Sequence, residues 1–435
     1  MKKVLIITYY WPPSGGGGVQ RWLKFVKYLR DFGWDPVIYT PENPEAPQRD
    51  ESLLKEIPSE IKVLKTKVCE PYQLYKRFTG RKTDEKIQTA FLSEKKNPGL
   101  AEKWSVWIRG NFFIPDARRF WIKPSVKFLS KYLQDNPVDA IVSTGPPHSM
   151  HLIGLTVFKR FKTPWLADFR DPWTNIDYYH DLKLTSCADR KHHRLEKEVL
   201  ETASAVTVVS PGMKAEFEAI VPRNYAVITN GFDAADFPDN TISDGKSEKF
   251  SLAHIGSLVK TRNPEELWKA LSFLIKTEKD FSADLEIRLI GKTDYFVKQS
   301  VESYDLQQFV MEIDYLPHDL VVQEQLEATV LLLLINRTPN AHLILTGKLF
   351  EYLGAARPIL CIGPAKGDAA KIIQDTGAGR VSDFGDYVTL AKHIQGFYKA
   401  WRKGENLSKT IDNSRFERRN LTAAMAEQLN KVCGF

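Results

Sequence analysis

The sequence predicts an α/β chain of two doubly wound, parallel-sheet domains. Three observations predict it. Short apolar runs that read as buried strands recur along the chain; a glycine-rich, proline-rich or polar loop and then a helix-period stretch follow most of them; and the alternation runs twice, on either side of a polar segment from Asp236 to Lys249 that reads as a linker. A chain of 435 residues, 43% hydrophobic and 26% charged, has an ordinary globular composition and a length that favours two domains.

The first strand is Val4–Thr8, and the loop after it, Tyr9–Gly18, ends in Gly15, Gly16, Gly17 and Gly18. Val19, Trp22, Leu23, Val26 and Leu29 then fall on one helical face, and Gly33 closes that helix before a strand at Asp35–Thr40. A dinucleotide fingerprint fails here, because a Gly-x-Gly-x-x-Gly register from Gly15 places its third glycine at Gln20. Four glycines still let a backbone approach a ligand closely.

From Asn43 to about Lys103 the sequence is charged and irregular, with Lys76-Arg77 and Arg81-Lys82, and reads as an insertion. Between Trp104 and Pro124 aromatic residues alternate with cations. That interleaving suits an anionic membrane surface, where rings sit at headgroup level. It also suits base stacking, although no nucleic-acid fold signature accompanies it, and a satellite core with charged rims is the plain structural alternative.

Val138–Thr144 is a strand that runs into Gly145-Pro146-Pro147-His148-Ser149, and Pro164–Ala167 is another that runs into Asp168-Phe169-Arg170-Asp171. Strand ends of this kind line the crevice of α/β sheets. A glycosidase-like acid and base pairing of Asp168 with Asp171 is possible, but nothing fixes their separation and the fold pattern argues against it; the plain structural reading is an Arg170 tied between its neighbours to order a loop. His192 and His193 lie in a charged helix and are expected in solvent. Strands at Ala205–Ser210 and from Tyr225 complete the first alternation.

The second alternation opens at Phe250–Ile255, followed by Gly256, Ser257 and a loop carrying Lys260 and Arg262, and continues through strands at Leu285–Gly291 and Phe309–Tyr315. Its most informative stretch begins with the apolar run Val330–Ile335 and the polar loop Asn336–His342. A helix from Thr346-Gly347-Lys348 to Gly354 follows, and then the strand Ile359–Ile362 after Pro358. Unpaired amides at the start of such a helix form an anion site beyond the strand's carboxyl end. Lys348 adds a cation, and Glu351, one turn inside, can accept hydrogen bonds from a polar ligand. A diphosphate on the amides and a sugar hydroxyl pair on Glu351 would use every polar group; a surface helix with an exposed lysine is the alternative.

The formal net charge of +7 is uneven: residues 1–228 hold 36 Lys/Arg against 26 Asp/Glu, and the rest 25 against 28. The first half therefore faces an anionic partner if either half does. Cys69, Cys187, Cys361 and Cys433 are far apart without metal-site or redox spacing, and read as reduced and structural. The first apolar run is followed by Tyr9-Tyr10-Trp11-Pro12-Pro13 where a secretory signal would carry small residues, and no apolar run reaches the roughly 20 residues that span a bilayer. The expected location is the cytoplasm, peripheral on the inner face of the membrane.

With two such halves, the sequence resembles the GT-B glycosyltransferases, specifically the large retaining group called family 4. The resemblance covers nearly the whole chain. It rests on Gly15–Gly18 after the first strand, Val227–Asp233 at the domain junction, Ile255-Gly256-Ser257 with Arg262, and Phe350-Glu351-Tyr352-Leu353 leading into Arg357-Pro358-Ile359. It implies Rossmann-like domains at 1–228 and 229–412 facing across a cleft, with residues 413–435 packing back on the first. It further implies that Glu351 binds the donor ribose, Thr346, Gly347 and Lys348 the diphosphate, and that Arg262 stabilises the leaving phosphate. Gly256, Ser257 and Lys260 would complete the donor loop, Gly15–Gly18 and His148 would face acceptor and phosphates, and Arg170 or Asp171 would sit near the reacting sugar.

Two positions depart from the family pattern. Leu343 stands where a first glutamate often precedes Glu351 by eight residues, and Ser257 stands where a phosphate-binding arginine follows Gly256, leaving Lys260 or Lys348 to compensate. The implied activity is transfer of a sugar from a nucleotide-sugar to a glycan or lipid-linked acceptor, in cell-surface polysaccharide synthesis. Neither a metal nor another cofactor is expected, nor is nucleic acid a partner. A non-catalytic nucleotide-sugar-binding protein is the rival reading. A nicotinamide oxidoreductase is a third, which lacks the third glycine and has Thr40-Pro41 where an acid would end the second strand.

Overall fold

The computed structural model describes residues 1–45, 49–68, 100–177, 179–237, 248–407 and 412–434. Cys69, the Lys76-Arg77 and Arg81-Lys82 runs and residues 238–247 of the expected linker lie outside the described residues. The chain forms two compact units, one of Met1–Thr229 with Arg419–Phe435, the other of Asn230–Arg418.

In the first unit the strands are β1 (Lys2–Ile7), β2 (Trp34–Pro41), β3 (Lys62–Thr66), β4 (Ala140–Gly145), β5 (Trp165–Phe169), β6 (Ala205–Val208) and β7 (Ala226–Val227). They form one parallel sheet in the order β3-β2-β1-β4-β5-β6-β7, with Val4 opposite Ala140 and Ile7 opposite Ser143 where the order reverses. The helices are α1 (Gly17–Leu29), α2 (Leu100–Phe112), α3 (Arg119–Asp135), α4 (Ser149–Phe161), α5 (Ser186–Thr202) and α6 (Pro211–Ile220). β1 and β4 are apolar without alternation because helices cover both faces of a parallel sheet.

Two expectations need correction here. β3 lies inside the stretch read as an irregular insertion; it is an edge strand whose Lys62 and Lys65 are exposed and whose Val63 and Leu64 are only half-buried, so it lacks the apolar run that marked the other strands. The first helix begins at Gly17 rather than Val19, so two of the four glycines belong to its first turn, and Gly16 precedes it at φ +94°.

The second unit repeats the plan with β8 (Phe250–Ile255), β9 (Leu285–Ile290), β10 (Val310–Ile313), β11 (Val330–Leu334), β12 (Ile359–Ile362) and β13 (Gly379–Ser382), all parallel in the order β10-β9-β8-β11-β12-β13. Its helices are α7 (Glu265–Thr277), α8 (Tyr295–Ser303), α9 (His318–Glu327), α10 (Gly347–Gly354), α11 (Asp368–Thr376) and α12 (Tyr387–Arg402). The strand order reverses between β8 and β11, which opens a crevice at their carboxyl ends.

The last helix, α13 (Arg418–Cys433), returns to the first unit. Met425 and Leu429 share a core with Val4 and Trp22, Lys2 Nζ donates to Asn430 Oδ1 at 3.0 Å, and Arg419 meets Asp31 at 3.1 Å. Residues 413–418 stay with the second unit. Phe416 lies in that unit's core, and Phe232 receives and donates backbone hydrogen bonds with Arg418 and Phe416 at 2.7 and 3.1 Å. No helix among the described residues is long and apolar enough to cross a membrane.

Candidate functional site

The carboxyl ends of β8 and β11 gather the donor residues expected from the sequence. After β8 the chain passes through Gly256 at φ +115°, and the backbone N–H of Gly256 donates to Ile290 O at 2.6 Å. A Cβ at Gly291, the residue after β9, would stand 3.0 Å from the Gly256 carbonyl carbon, so two glycines let the adjoining strand ends come together. On the other side of Gly256 lies Lys348: a Cβ at position 256 would fall 2.3 Å from Lys348 Nζ.

Arg262 is fixed from two directions. It sits in a short 3-10 turn, Lys260–Arg262, and donates from Nε to Asn336 Oδ1 at 2.6 Å and from Nη1 to Ser257 O at 3.0 Å. The backbone reinforces this tie, since Arg337 N donates to Thr261 O at 2.9 Å. The loops after β8 and β11 are thereby laced together around a guanidinium. Tyr352, buried in α10, accepts from Ile255 N at 3.2 Å and pins the helix to the end of β8.

Lys348 is half-buried, and its pKa falls to about 7, first through desolvation and then through the charge of Arg262, with Glu351 pulling the other way. His254, buried in β8 with Nδ1 donating to Leu332 O at 3.1 Å, is kept neutral by burial and next by Lys348. Two cations drawn together with this little acid nearby form a site that an anion would relieve.

The start of α10 offers further donors. Thr346 occupies the cap position in an extended conformation, its side chain does not cap the helix, and its Oγ1 is buried without a hydrogen-bond partner. Nothing lies within 4 Å of a Cβ built on Gly347, so the first helical residue is open on its side-chain side. Glu351, half-buried, accepts only weakly from Gln325 Nε2 at 3.3 Å and keeps acceptor capacity. Lys260 stands apart: its ammonium lies over the Phe296 ring at 4.3 Å, so of the two lysines offered in place of an arginine at Ser257, the structure brings Lys348 to the loop.

In the first unit, the order reversal between β1 and β4 places the glycine loop beside the β4 and β5 ends. Arg170 donates from Nη1 to Gly18 O at 2.9 Å and from Nη2 to Pro146 O, and a Cβ at Gly18 would fall 2.7 Å from Nη1. Arg170 therefore orders loops, but through backbone carbonyls of α1 and the β4–α4 loop rather than through the two neighbouring carboxylates. A Cβ at Gly15 would meet Asp50 Cβ at 3.2 Å, and Gly17 is open.

Asp168 does not pair with Asp171, in line with the fold pattern. Asp168 is fully buried, accepting from Arg21 Nη2 at 2.8 Å and Nε at 3.2 Å, Trp22 Nε1 at 2.8 Å, Thr144 Oγ1 at 2.9 Å and Thr207 Oγ1 at 2.8 Å. Burial pushes its pKa up, but Arg21 and these hydrogen bonds win and hold it at about 2. Arg21 also donates to Ile228 O and Thr229 O, so this ion pair fastens α1, β5 and the end of β7. Asp171 points to solvent.

His148 ends the β4 loop, lies flat on Trp173 with centroids 4.7 Å apart, and is kept neutral chiefly by burial and secondarily by His151. Its Nδ1 is buried without a partner. The amide that opens α4 is already taken, because Asp116 accepts from Ser149 N at 2.9 Å and from Ser149 Oγ at 2.8 Å. His192, expected in solvent, is buried and accepts from Trp173 Nε1 at 3.0 Å, whereas His193 is exposed. Periodicity separates them: His192 falls on the same face of α5 as Ala188, Glu196 and Val199. Sequence reasoning missed Asn336, Tyr352 and Arg21 as holding residues; Asn336 had a signal, standing where β11 ends.

Comparison with known proteins adds three findings. The family model described as Glycosyltransferase Family 4 matches residues 15–236, more than half of the chain. No curated protein matches by sequence. Among solved structures, a sucrose-phosphate synthase from Thermosynechococcus elongatus superposes with a TM-score of 0.65 at 14% identity, covering 100% of both chains. A mutant of S. aureus TarM, in complex with Fondaparinux, α-GlcNAc-glycerol and UDP, gives 0.59 at 12% over 100% of both. WaaG, a glycosyltransferase involved in lipopolysaccharide biosynthesis, gives 0.55 at 12%, covering 98% of this chain and 99% of its own. These neighbours share the GT-B fold, with its two parallel-sheet α/β units, and the chain belongs to glycosyltransferase family 4.

Proposed function

We propose that this chain is a retaining hexosyltransferase that moves a sugar from a nucleotide-sugar to a glycan acceptor, lipid-linked and destined for cell-surface polysaccharide, at the cytoplasmic face of a membrane. The observation that carries the reading is the meeting of Lys348, Arg262 and the start of α10 at the β8/β11 reversal, beside a backbone conformation that favours glycine. TarM, solved with UDP and α-GlcNAc-glycerol, and WaaG, involved in lipopolysaccharide biosynthesis, support the donor and acceptor classes.

In this reading the diphosphate rests on the amides of Gly347 and Lys348 and on the Thr346 hydroxyl, and Glu351 accepts from the ribose hydroxyls. As the bond from the anomeric carbon to the diphosphate oxygen breaks, negative charge gathers on the leaving group. Arg262 and Lys348 meet it already in place, with no reorganisation and no metal. The acceptor oxygen forms its bond on the face the diphosphate leaves, and its proton passes to the departing phosphate oxygen. Gly256 and Ser257 offer backbone to the donor, and Gly15–Gly18, His148, Arg170 and Asp171 are assigned to the acceptor side.

The test is incubation of the purified chain with UDP-, GDP-, ADP- and CMP-sugars and a bacterial lipid extract, following nucleotide release and the anomeric configuration of any product. Glycolipid formed with the donor's configuration supports the reading. Nucleotide bound tightly but never released, with every donor, favours the non-catalytic alternative.

A further inference from the structure

The first unit carries a surface that the donor and acceptor residues do not explain. On α2, Trp104, Ile108 and Phe112 recur every four residues and are 63%, 42% and 58% exposed. Side chains of that size rarely form an exposed file on a helix whose neighbours are all within the same protein. Trp107 extends the group, its ring centroid 5.7 Å from Trp104 and 5.8 Å from Phe112.

The file continues onto α3. Arg119 donates to Phe112 O and lies over the Phe120 ring at 5.7 Å, while Phe113 and Phe120 meet at 5.8 Å. Phe120 is 48% exposed and lies, by helical spacing, on the same face as Lys123, Lys127 and Lys131. These lysines line an open groove of about 460 Å³ between α3 and α4, with Arg160 on the opposite wall, Ile122 and Val126 at its floor, and no acidic residue in its lining. None of the three lysines forms an ion pair with another described residue, and the only acid of α3 is Asp135 in its last turn.

Four cations without counter-charge among the described residues, beside an exposed aromatic file, are complementary to a surface that is anionic outside and apolar beneath. We propose that the α2–α3 face docks on an anionic lipid bilayer, the groove cations meeting headgroup phosphates while Trp104, Phe112 and Phe120 enter the headgroup level. Basic residues near such a surface act additively, and rings at this depth add apolar burial. The inference deepens the membrane part of the proposed function by giving it a place on the molecule, and its test uses no transfer reaction.

The experiment is sedimentation of the full chain with vesicles of phosphatidylcholine alone or with phosphatidylglycerol added, at low and high salt. Binding to the anionic vesicles alone, weakening with salt, is expected. The triple variant Lys123→Glu, Lys127→Glu, Lys131→Glu should bind at least about tenfold more weakly. Trp104→Ser with Phe112→Ser should weaken binding at unchanged salt dependence, and a charge-matched control, Lys276→Glu, Lys279→Glu, Lys392→Glu, should bind as the parent does. Equal or absent binding to both vesicles, equal loss in the control, undiminished binding of the lysine variant, or tighter binding to single-stranded DNA than to vesicles each overturns the proposal. A nucleotide-induced thermal shift separates the outcomes: if it persists in the parent while the parent shows no preference for anionic vesicles, the docking face alone is wrong, and its persistence in the variants shows that they are folded.

Discussion

Gly256 and Lys348 compete for one volume: the side chain that position 256 lacks would stand 2.3 Å from the Lys348 ammonium, and its φ of +115° would strain any other residue as well. Gly256→Ala should therefore cost about 1–3 kcal/mol in stability and also push Lys348 from the loop. The expected result is a fall in nucleoside diphosphate affinity of at least about tenfold by calorimetry, since one charge-assisted contact is lost. Affinity unchanged at reduced stability would mean that Lys348 does not serve the ligand.

Lys348 also sets a pH dependence. Its pKa of about 7 lies below the ordinary 10.5, so the unfolded chain binds the extra proton between those values, and this group makes stability rise with pH across that window. A bound diphosphate favours the charged form and raises the pKa. Binding at pH 8 should then take up a proton, and affinity should decline as pH rises above about 7. Calorimetry in buffers of different ionisation enthalpy measures the uptake, which Lys348→Met should abolish.

The Arg21–Asp168 pair predicts a purely structural effect. Either partner left alone is a buried charge, so Arg21→Ala should lower unfolding free energy by about 3–5 kcal/mol. Because Asp168 is held near 2 against an ordinary 3.8, its contribution is complete above about pH 4 and is lost as pH falls toward 2, on the order of 2 kcal/mol in all. Denaturant titrations at stepped pH should show that loss in the parent and a shallower one in Asp168→Asn.

Gly18→Ala tests the first unit. The added methyl meets the end of Arg170, a flexible side chain, so the melting temperature should move little, but the guanidinium must leave the Gly18 carbonyl. The expected signature is a raised acceptor KM at unchanged nucleotide affinity, read from initial rates and thermal shift together. A matching loss of nucleotide affinity would remove the acceptor-side assignment.

Much of the fold was legible because parallel strands buried on both faces, such as Val330–Leu334, are continuous apolar runs that few other structures produce. β3 was not legible, since an edge strand with exposed lysines carries the composition of a loop. The places of the residues assigned to the donor could be read, since they follow strands, whereas the residues that hold them could not. Asn336 and Tyr352 act on Arg262 and Ile255 across 74 and 97 positions of sequence, and nothing local records such a pairing. The same limit hid the partner of Asp168: Arg21 lies 147 positions away, and the strand end sends Asp168 into the sheet while Asp171, three residues on, is exposed.

The central claim is that the second unit holds a nucleotide-sugar through α10. Its most direct measurement is a thermal-shift panel of UDP-, GDP-, ADP- and CMP-sugars on the parent and on Glu351→Ala. A ligand at 100 times its dissociation constant stabilises by about 2.7 kcal/mol. A shift with one nucleotide class in the parent, lost in the variant, is the predicted result. No shift with any of them, together with stabilisation by NAD, would contradict the account.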